Sequence, residues 1–294
     1  MQTKQEIEQL LAAAGTRPKH RLGQNFLIDL NLMRVLVQSA GMHSGDVVLE
    51  VGCGTGSLTE ELLLHSGRVV GVEYDPVLFG IVQKRLAREE SLTLLCGDVL
   101  ESKNTLNHTV LDALQKALEE TGGRLLLVSN LPYNVASSVM VNLIAGPLTA
   151  ESMTVTVQKE VAERMAAVPG HKEYGPLSIL MTATGDLHYL KHLPPTVFWP
   201  RPQVDSAMVR FVRNPQKAAQ IHNMDVFRQV VHLFMSHRRK MLKACVHFAE
   251  GELAAVRHWA EVFAEAFVDG QSRPEELSAA DYINIANLCF EQIR

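Results

Sequence analysis

A short tetrapeptide, Asn130-Leu131-Pro132-Tyr133, has the residue types needed to hold an aromatic amine for alkylation. The exocyclic amine of adenine is a poor nucleophile because its lone pair is delocalised into the ring. Acceptors on its two N–H bonds, such as the Asn130 oxygen and a backbone carbonyl, favour a pyramidal nitrogen that can attack. Pro132 restricts the backbone, and Tyr133 offers a face for stacking a base. The alternative interpretation is a simple turn with a packed tyrosine.

A glycine-rich loop, Glu50-Val51-Gly52-Cys53-Gly54-Thr55-Gly56, follows an apolar run and precedes a helical stretch. Glycines allow a tight turn and let the backbone approach a ligand closely. The helix N-terminus that follows offers unpaired N–H groups. The spacing is G-x-G-x-G and differs from the dinucleotide fingerprint G-x-G-x-x-G, which disfavours a nicotinamide oxidoreductase. We therefore expect Glu50, Gly52, Gly54 and Gly56 to form part of a cofactor site.

Three carboxylates, Glu50, Glu73 and Asp98, stand at or just after the ends of successive apolar runs. Glu73 could accept hydrogen bonds from both hydroxyls of a ribose, and Asp98 could accept one from an adenine amine. Negative charge in one crevice suits a sulfonium ligand that carries an amino group better than it suits a pyrophosphate. The sequence therefore predicts S-adenosylmethionine as the cofactor, unless Glu50 only caps a helix and Asp98 only begins a turn.

The elements that must position these residues alternate between short apolar runs and helical stretches. Buried parallel strands are predicted at 47–51, 68–73, 92–96, 124–129 and 153–158. Helices are predicted at 57–65, 76–88, 105–121 and 134–145. This order predicts a Rossmann-like, doubly wound α/β sheet. Ligands bind such sheets at the carboxyl ends of the strands, so the glycine loop and the tetrapeptide should open onto one crevice.

Beyond this sheet, two further strand-like runs are followed by a largely helical region. The runs cover 186–193 and 203–212, residues 213–216 mark a break, and the sequence from Met224 onward has a helical pattern. We predict a catalytic domain over residues 1–214 and a smaller, all-helical C-terminal domain over 215–294.

Composition and cysteine spacing disfavour a membrane-spanning protein, a disulfide-bonded protein and a zinc-binding protein. The chain has 294 residues, is 47% hydrophobic, and contains no apolar run long enough to cross a bilayer. Its cysteines, Cys53, Cys96, Cys245 and Cys289, show no paired spacing. This pattern predicts reduced thiols, a cytoplasmic location and no metal site.

The net charge of −4 conceals an uneven distribution. Residues 217–243 carry six basic side chains and one acidic one, whereas residues 250–294 carry three basic and nine acidic side chains. A second basic cluster contains Arg17, Lys19, His20 and Arg21. Phosphate binding requires locally concentrated positive charge. Solvated faces give the same pattern.

Nearly the whole chain resembles the small-subunit ribosomal RNA adenine dimethyltransferases, relatives of the erythromycin-resistance rRNA methylases and mitochondrial transcription factor B proteins. The matching segments are ordered along the chain: 24–29, the glycine loop, Glu73, Asp98, the tetrapeptide 130–133, and then 158–165, 174–178, 198–206 and 238–241. In this family, two adjacent adenines in a hairpin near the 3′ end of the RNA each receive two methyl groups.

The resemblance implies a role for each site residue. Gln24, Asn25 and Leu27 would border the cofactor, with Asn25 near its methionine part. Asn130, Pro132 and Tyr133 would surround the target amine, with Asn130 also next to the cofactor, and Phe198 would form a second aromatic wall. The helical domain would help to hold RNA, and candidates for phosphate contacts are Lys159, Arg164, Arg201, Arg238, Arg239 and Lys240.

The expected partner is small-subunit rRNA or an immature small ribosomal subunit, and the expected state is a monomer. One alternative is methylation of a large-subunit adenine, as in the resistance enzymes. The segment 198–202 and the long helical domain favour the small-subunit reaction. The second alternative, an assembly factor with little catalysis, is disfavoured by the intact tetrapeptide at 130–133.

Overall fold

The computed structural model describes residues 1–103 and 105–294, apart from the side chain of His20 in the N-terminal basic cluster. The chain forms two compact units. The first contains residues 1–162 and 188–212, and the second contains residues 163–187 and 213–294. The sequence pattern predicts one division at 214/215, whereas the structure adds residues 163–187 to the second unit. A helix within that stretch packs against C-terminal helices. The assignment of separate functions to the two parts stays a prediction.

The strands are β1 (Phe26–Leu27), β2 (Val47–Val51), β3 (Arg68–Glu73), β4 (Leu92–Cys96), β5 (Leu100–Ser102), β6 (Thr105–Leu106), β7 (Leu125–Asn130), β8 (Ser152–Gln158), β9 (Gly185–Leu193), β10 (Phe198–Trp199) and β11 (Ser206–Arg213). The helices are α1 (Lys4–Ala13), α2 (Leu30–Ala40), α3 (Ser57–His65), α4 (Pro76–Arg85), α5 (His108–Thr121), α6 (Ala136–Ala145), α7 (Lys159–Met165), α8 (Pro176–Thr184), α9 (Pro215–Ala218), α10 (Met224–Ser236), α11 (Leu242–Cys245), α12 (Trp259–Glu265) and α13 (Ala279–Ile293). Short 3₁₀ helices cover His20–Leu22, Pro195–Val197, Val246–Phe248, Gly251–Ala255 and Pro274–Glu276.

The central sheet has seven strands in the order β4-β3-β2-β7-β8-β11-β9. Strands β4, β3, β2, β7 and β8 are parallel, and β11 runs antiparallel to β8. The five strands predicted from apolar runs are these five parallel strands, with bounds that agree within one residue. The Rossmann-like α/β fold with a C-terminal helical region is therefore confirmed.

The side of the sheet on which successive strands are added changes between β2 and β7. From β2 the sheet extends through β3 and β4 on one side, and through β7 and β8 on the other. The ends of β2 and β7 thus flank the topological switch point, where open α/β sheets bind their ligands. Both strands are buried along their apolar length, which fixes the loops that follow them on a rigid base.

Helix caps set the bounds of the helices around the site. The side chain of Asp29 accepts hydrogen bonds from the N–H groups of Asn31 and Leu32 at the start of α2. Asp75 caps α4 by accepting from Val77, and Pro76 occupies the first turn. A carboxylate or amide oxygen at this position satisfies N–H groups that the helix itself leaves unpaired.

The second unit has an aromatic core. The ring of Phe234 on α10 lies 6.0 Å from Trp259, 6.2 Å from Phe263 and 6.3 Å from Tyr282, measured between ring centroids. Buried Tyr282 satisfies its hydroxyl by donating to the Pro274 carbonyl at 2.9 Å. Over the described residues, none of the helices is both long enough and apolar enough to cross a membrane.

Candidate active site

The glycine loop and the tetrapeptide meet at one cavity in the first unit. The loop follows β2 and the tetrapeptide follows β7, and these strands are adjacent and parallel. The cavity has a volume of about 250 Å³. The predicted residues that line it are Gln24, Asn25, Gly52, Gly54, Glu73, Asp98, Asn130, Pro132 and Tyr133.

The glycines of the loop are required by both backbone conformation and space. Gly52, Gly54 and Gly56 have φ values of +80°, +59° and +81°, a region that only glycine adopts readily. A Cβ at Gly52 would lie 2.9 Å from Cγ of Pro132, and one at Gly54 would lie 3.0 Å from the ring of Phe26. A Cβ at Gly56 would instead approach Arg85 and Val82. Gly52 and Gly54 therefore line the cavity, whereas Gly56 shapes the turn behind it.

Glu73, the last residue of β3, anchors the glycine loop through its carboxylate. Its Oε2 accepts a hydrogen bond of 2.8 Å from the Gly54 N–H, and its Oε1 accepts one of 2.8 Å from the Asp75 N–H. Burial raises the pKa of this carboxyl above its ordinary value. Each oxygen keeps acceptor capacity beyond these backbone bonds, so Glu73 can still accept from ligand hydroxyls. Asp98 is exposed at the cavity and accepts from the Leu100 N–H at 3.0 Å.

Two hydrogen bonds fix the side-chain amide of Asn130. Its Nδ2 donates to the carbonyl oxygen of Asn25 at 2.8 Å. Its Oδ1 accepts from the hydroxyl of Thr156 on the neighbouring strand β8. The Asn25 carbonyl can only accept, which determines which end of the amide carries the oxygen. Oδ1 can accept a second hydrogen bond, so Asn130 can present an acceptor to a base amine.

Tyr133 is held at its hydroxyl end and partly exposed at the cavity. The hydroxyl lies 2.8 Å from Oγ of Ser206, which is fully buried at the start of β11. Burial raises the pKa of the Tyr133 hydroxyl, and the hydrogen bond to Ser206 lowers it by a smaller amount. The ring is therefore fixed in direction and available for stacking.

Gln24 connects the segment before β1 to the start of α4. It accepts from the Lys19 N–H at 2.7 Å and donates to Oδ2 of Asp75 at 3.0 Å. The ammonium group of Lys19 lies 2.8 Å from the same carboxylate oxygen. These contacts hold the wall of the cavity that Gln24 and Asn25 form.

Glu50 and Leu27 lie outside the main cavity. Both line a second, smaller cavity that shares Gly52, Gly54 and Asn130 with the main one. The Glu50 carboxylate is buried and accepts from the Thr59 hydroxyl at 2.6 Å. Burial raises its pKa to about 7; the Thr59 and Cys53 hydrogen bonds lower it, and the Glu73 charge raises it further. Glu50 is thus paired with Thr59 and lies outside the main cavity, and its part in cofactor binding stays a prediction.

Phe198, which the resemblance implies as a second aromatic wall, does not line the main cavity in this structure. The ring is 1% exposed and belongs to the core cluster that contains Met33, Leu36 and Met208. Strand β10 pairs with β1 so that Phe198 stands opposite Leu27. This pairing turns the ring into the core, because alternate residues of a strand face opposite sides.

Sequence reasoning missed residues that position the site from a distance in the chain. They are Thr156 and Ser206, which anchor Asn130 and Tyr133, and Asp75 and Lys19, which anchor Gln24. Apolar walls from Phe26, Tyr74 and Val99 were also missed. Phe26 and Ser206 lie in the matching segments 24–29 and 198–206, which could have pointed to them. Thr156 lies in an apolar run with no such indication.

The chain matches one family model, and it is similar in sequence to several proteins that all carry the same name. A family model described as "Ribosomal RNA adenine dimethylase" matches residues 15–290. The chain is 34% identical to "Ribosomal RNA small subunit methyltransferase A" of Pelotomaculum thermopropionicum over 96% of this chain and 94% of that protein. It is also 34% identical to the protein of the same name from Enterococcus faecalis, over 97% of this chain and 95% of that protein.

Two solved structures share the fold. A dimethyladenosine transferase from Plasmodium falciparum aligns with a TM-score of 0.69 at 21% identity, over 90% of this chain and 97% of that one. The 23S rRNA methyltransferase ErmE aligns with a TM-score of 0.57 at 20% identity, over 90% of this chain and 98% of that one. The family model extends over the glycine loop, the tetrapeptide and the helical region alike. The chain therefore belongs to the ribosomal RNA adenine dimethylase family.

Proposed function

We propose that this enzyme transfers methyl groups from S-adenosylmethionine to N6 of two adjacent adenines in the 3′-terminal hairpin of small-subunit rRNA, as a step of ribosome maturation. One observation carries the proposal. Gly52, in the loop expected to bind the cofactor, and Pro132, in the tetrapeptide expected to bind the base, pack against each other at neighbouring strand ends. A donor and an acceptor held by these two segments would meet in the same cavity.

The residues of the cavity fit S-adenosylmethionine. Glu73 is buried beside the glycine loop, where it can accept from ribose hydroxyls, and Asp98 can accept from the adenine amine of the cofactor. Asn25 and Asn130 lie at the same cavity, where the methionine part would be held. S-adenosylmethionine supplies an electrophilic methyl group on a sulfonium ion. Carboxylates around the cavity favour this cation over a pyrophosphate ligand.

Asn130 and Tyr133 would orient the target base. Oδ1 of Asn130 accepts from one N–H bond of the adenine amine, and a backbone carbonyl of the tetrapeptide accepts from the other. Both hydrogen bonds favour the pyramidal nitrogen whose lone pair attacks. Tyr133 stacks on the base and holds its plane. The rate then depends mainly on position, and no strong general base is needed, because the alkylated amine becomes acidic.

The names of the similar proteins support small-subunit rRNA over large-subunit RNA as the substrate. The relatives in Pelotomaculum thermopropionicum and Enterococcus faecalis are both named as small-subunit methyltransferases, and each aligns over more than nine tenths of this chain. ErmE shares the fold at 20% identity, which does not transfer its substrate. The proposal places the enzyme in the cytoplasm, acting on rRNA or an immature small subunit, and as a monomer.

Transfer of labelled methyl groups to purified ribosomal particles tests the proposal. Small and large subunits that lack adenine dimethylation would be incubated separately with the enzyme and labelled S-adenosylmethionine. We expect label in small-subunit RNA alone, and nucleoside analysis should identify it as N6,N6-dimethyladenosine. Label confined to large-subunit RNA would show that the proposed substrate is wrong. Calorimetry with S-adenosylmethionine and with NAD would test the cofactor separately, and NAD should not bind.

A further inference from the structure

An exposed aromatic ring in the second unit lies against a histidine at the end of α10. Phe248 is 45% exposed. Its ring stacks on that of His237, with centroids 4.0 Å apart and planes inclined by 14°. A ring this exposed costs free energy in water, and single exposed apolar residues occur without any function. Whether Phe248 has a function must therefore be judged from the residues around it.

The turn around His237 is held rigidly. Nδ1 of His237 lies 2.9 Å from the Leu233 carbonyl, which fixes the imidazole ring. Arg238 bonds to Oε2 of Glu275 through Nε at 2.9 Å and through an Nη at 2.8 Å, and it donates to the Lys172 carbonyl at 3.1 Å. Arg238 thus serves the turn itself. The stacked pair needs little ordering before it binds a ligand, which lowers the cost of binding.

One cation lies at the Phe248 ring, and two more are close to the stacked pair in sequence. Nζ of Lys240 lies 5.4 Å from the Phe248 ring centre. Arg239, Lys240 and Lys243 are all exposed, and within the described part of the chain no carboxylate forms an ion pair with them. No acidic residue occurs between His237 and Phe248 in the sequence; Glu250 is the first one after them. A planar ring among cations matches the chemistry of a nucleotide, which has a π face and a phosphate.

The residues on either side of Phe248 border an open groove of about 510 Å³. His247, Arg257, His258 and Trp259 line this groove, so it offers cationic and aromatic contacts. One carboxylate, Glu261, also lines it, with Oε1 3.8 Å from Nδ1 of His258. The groove lies within the same segment of the second unit, although Phe248 itself does not line it.

We propose that Phe248, supported by His237, is a stacking platform for an unpaired base of RNA. It would act beside Arg239 and Lys240, which the family resemblance already implies as phosphate contacts. This inference rests on the proposed function, because it assumes that the ligand is RNA. It adds a second site for an unpaired base, formed entirely within the second unit, to the cavity in which Asn130 and Tyr133 receive the target adenine.

Binding of RNA to the full chain without cofactor tests the platform. The probes are an oligoadenylate of about 20 nucleotides and a paired RNA duplex of the same length, since stacking requires an unpaired base. Phe248→Leu keeps an apolar side chain and removes the ring. We expect its affinity for oligoadenylate to fall roughly tenfold and its affinity for the duplex to change by less than about twofold.

Phe267→Leu is the matched control. Phe267 is 95% exposed in the same unit, and in the described structure no cation lies over its ring. This variant should bind oligoadenylate within about twofold of the native affinity. Lys240→Gln should weaken binding to both probes and lower the slope of log affinity against log salt by about 1, whereas Phe248→Leu should leave the slope unchanged.

Native affinity for oligoadenylate in Phe248→Leu, or an equal loss in the Phe248 and Phe267 variants, would overturn the platform. The first result would leave a protein partner as the occupant of this surface. A native circular dichroism spectrum and unfolding temperature for Phe248→Leu exclude misfolding as the cause of a loss. Methyl transfer is not measured in this experiment. An enzyme that fails to methylate subunits but shows a Phe248-dependent affinity therefore refutes the proposed reaction and retains the platform.

Discussion

Gly52 and Pro132 approach each other so closely that a Cβ at position 52 would lie 2.9 Å from Cγ of the proline. The two residues are 80 positions apart in sequence, and the pairing of β2 with β7 brings them together. The cofactor loop and the base-binding tetrapeptide are thus one packed structure. A change in either segment should be transmitted to the other.

Gly52→Ala should therefore damage the site by more than its backbone strain. Alanine at φ +80° is strained, and its methyl group would also displace Pro132. We expect a loss of about 2 kcal/mol in the free energy of unfolding, together with a loss of S-adenosylmethionine affinity of roughly tenfold or more. Denaturant unfolding and calorimetry measure the two effects.

Gly122→Ala is the control for strain alone. Gly122 has φ +64° and is the C-cap of α5, and a Cβ at this position would have no atom within 4 Å. This variant should lose about 1 kcal/mol and keep its cofactor affinity. Equal effects of the two substitutions on cofactor binding would show that the contact with Pro132 has no role.

Thr156 should be a positioning residue for Asn130. Thr156→Val removes the hydroxyl that donates to Oδ1 of Asn130 and keeps the shape of the side chain. We expect kcat for methyl transfer to fall roughly fivefold to tenfold, because a hydrogen bond of about 1 kcal/mol fixes the amide. Thr156→Ser should retain most of the native rate.

Thr154 offers a matched control on the same strand. It is also fully buried, and its hydroxyl has no hydrogen-bond partner among the described residues. Thr154→Val should leave kcat unchanged and raise the free energy of unfolding by about 1 kcal/mol, because a buried unpaired hydroxyl is destabilising. A similar fall in kcat in both variants would mean that Thr156 acts only through the packing of β8.

Tyr133 should act through its ring more than through its hydroxyl. Tyr133→Ala removes the stacking face, and we expect the rate of methyl transfer to fall by roughly a hundredfold or more with little change in cofactor affinity. Tyr133→Phe loses only the hydrogen bond to Ser206 and should keep most of the activity. Ser206→Ala should resemble Tyr133→Phe, and the double variant should show no further loss. Native turnover in Tyr133→Ala would remove the ring from the mechanism.

The buried carboxyl of Glu50 should make stability depend on pH. Its pKa in the folded protein is about 7, against an ordinary value of 4.5. Between these two values the folded state binds more protons than the unfolded state, so the free energy of unfolding should fall as pH rises. Below about pH 4.5 this contribution is constant, and above about pH 7 the full penalty of the buried charge remains.

Glu50→Gln should remove this dependence. Above about pH 7 it should be more stable than the native protein by up to roughly 3 kcal/mol. Denaturant unfolding at several values between about pH 4.5 and 8 measures the slope, with exposed Glu89→Gln as the control. An unchanged slope in Glu50→Gln would assign the dependence to another group.

The parallel sheet could be predicted from sequence because its strands are continuous apolar runs. Val47–Val51 and Arg68–Glu73 end at their predicted residues. The order of these strands also follows from fold rules, which is why Glu73 and Asn130 were expected at one crevice and lie there. Local pattern and the topology of α/β sheets were sufficient for this part of the site.

The directions of individual side chains could not be predicted in this way. Glu50 precedes Gly52 by two residues but faces Thr59. Phe198 lies in a matching motif, but its ring faces the core where β10 pairs with β1. Thr156 looks like any small residue of a buried strand. Its role depends on the register of β7 and β8, which pairs Asn130 with Thr156. The directions of these three side chains are set by contacts between segments that are distant in sequence.

The structure of the enzyme with S-adenosylhomocysteine and an adenosine nucleotide tests the central claim most directly. We expect the ribose of the cofactor at Glu73, the adenine ring of the nucleotide against Tyr133, and its N6 within hydrogen-bond distance of Oδ1 of Asn130. The cofactor sulfur should face that nitrogen across the junction of Gly52 and Pro132. A cofactor bound elsewhere, or an adenine that does not reach Asn130, would contradict the proposed mechanism.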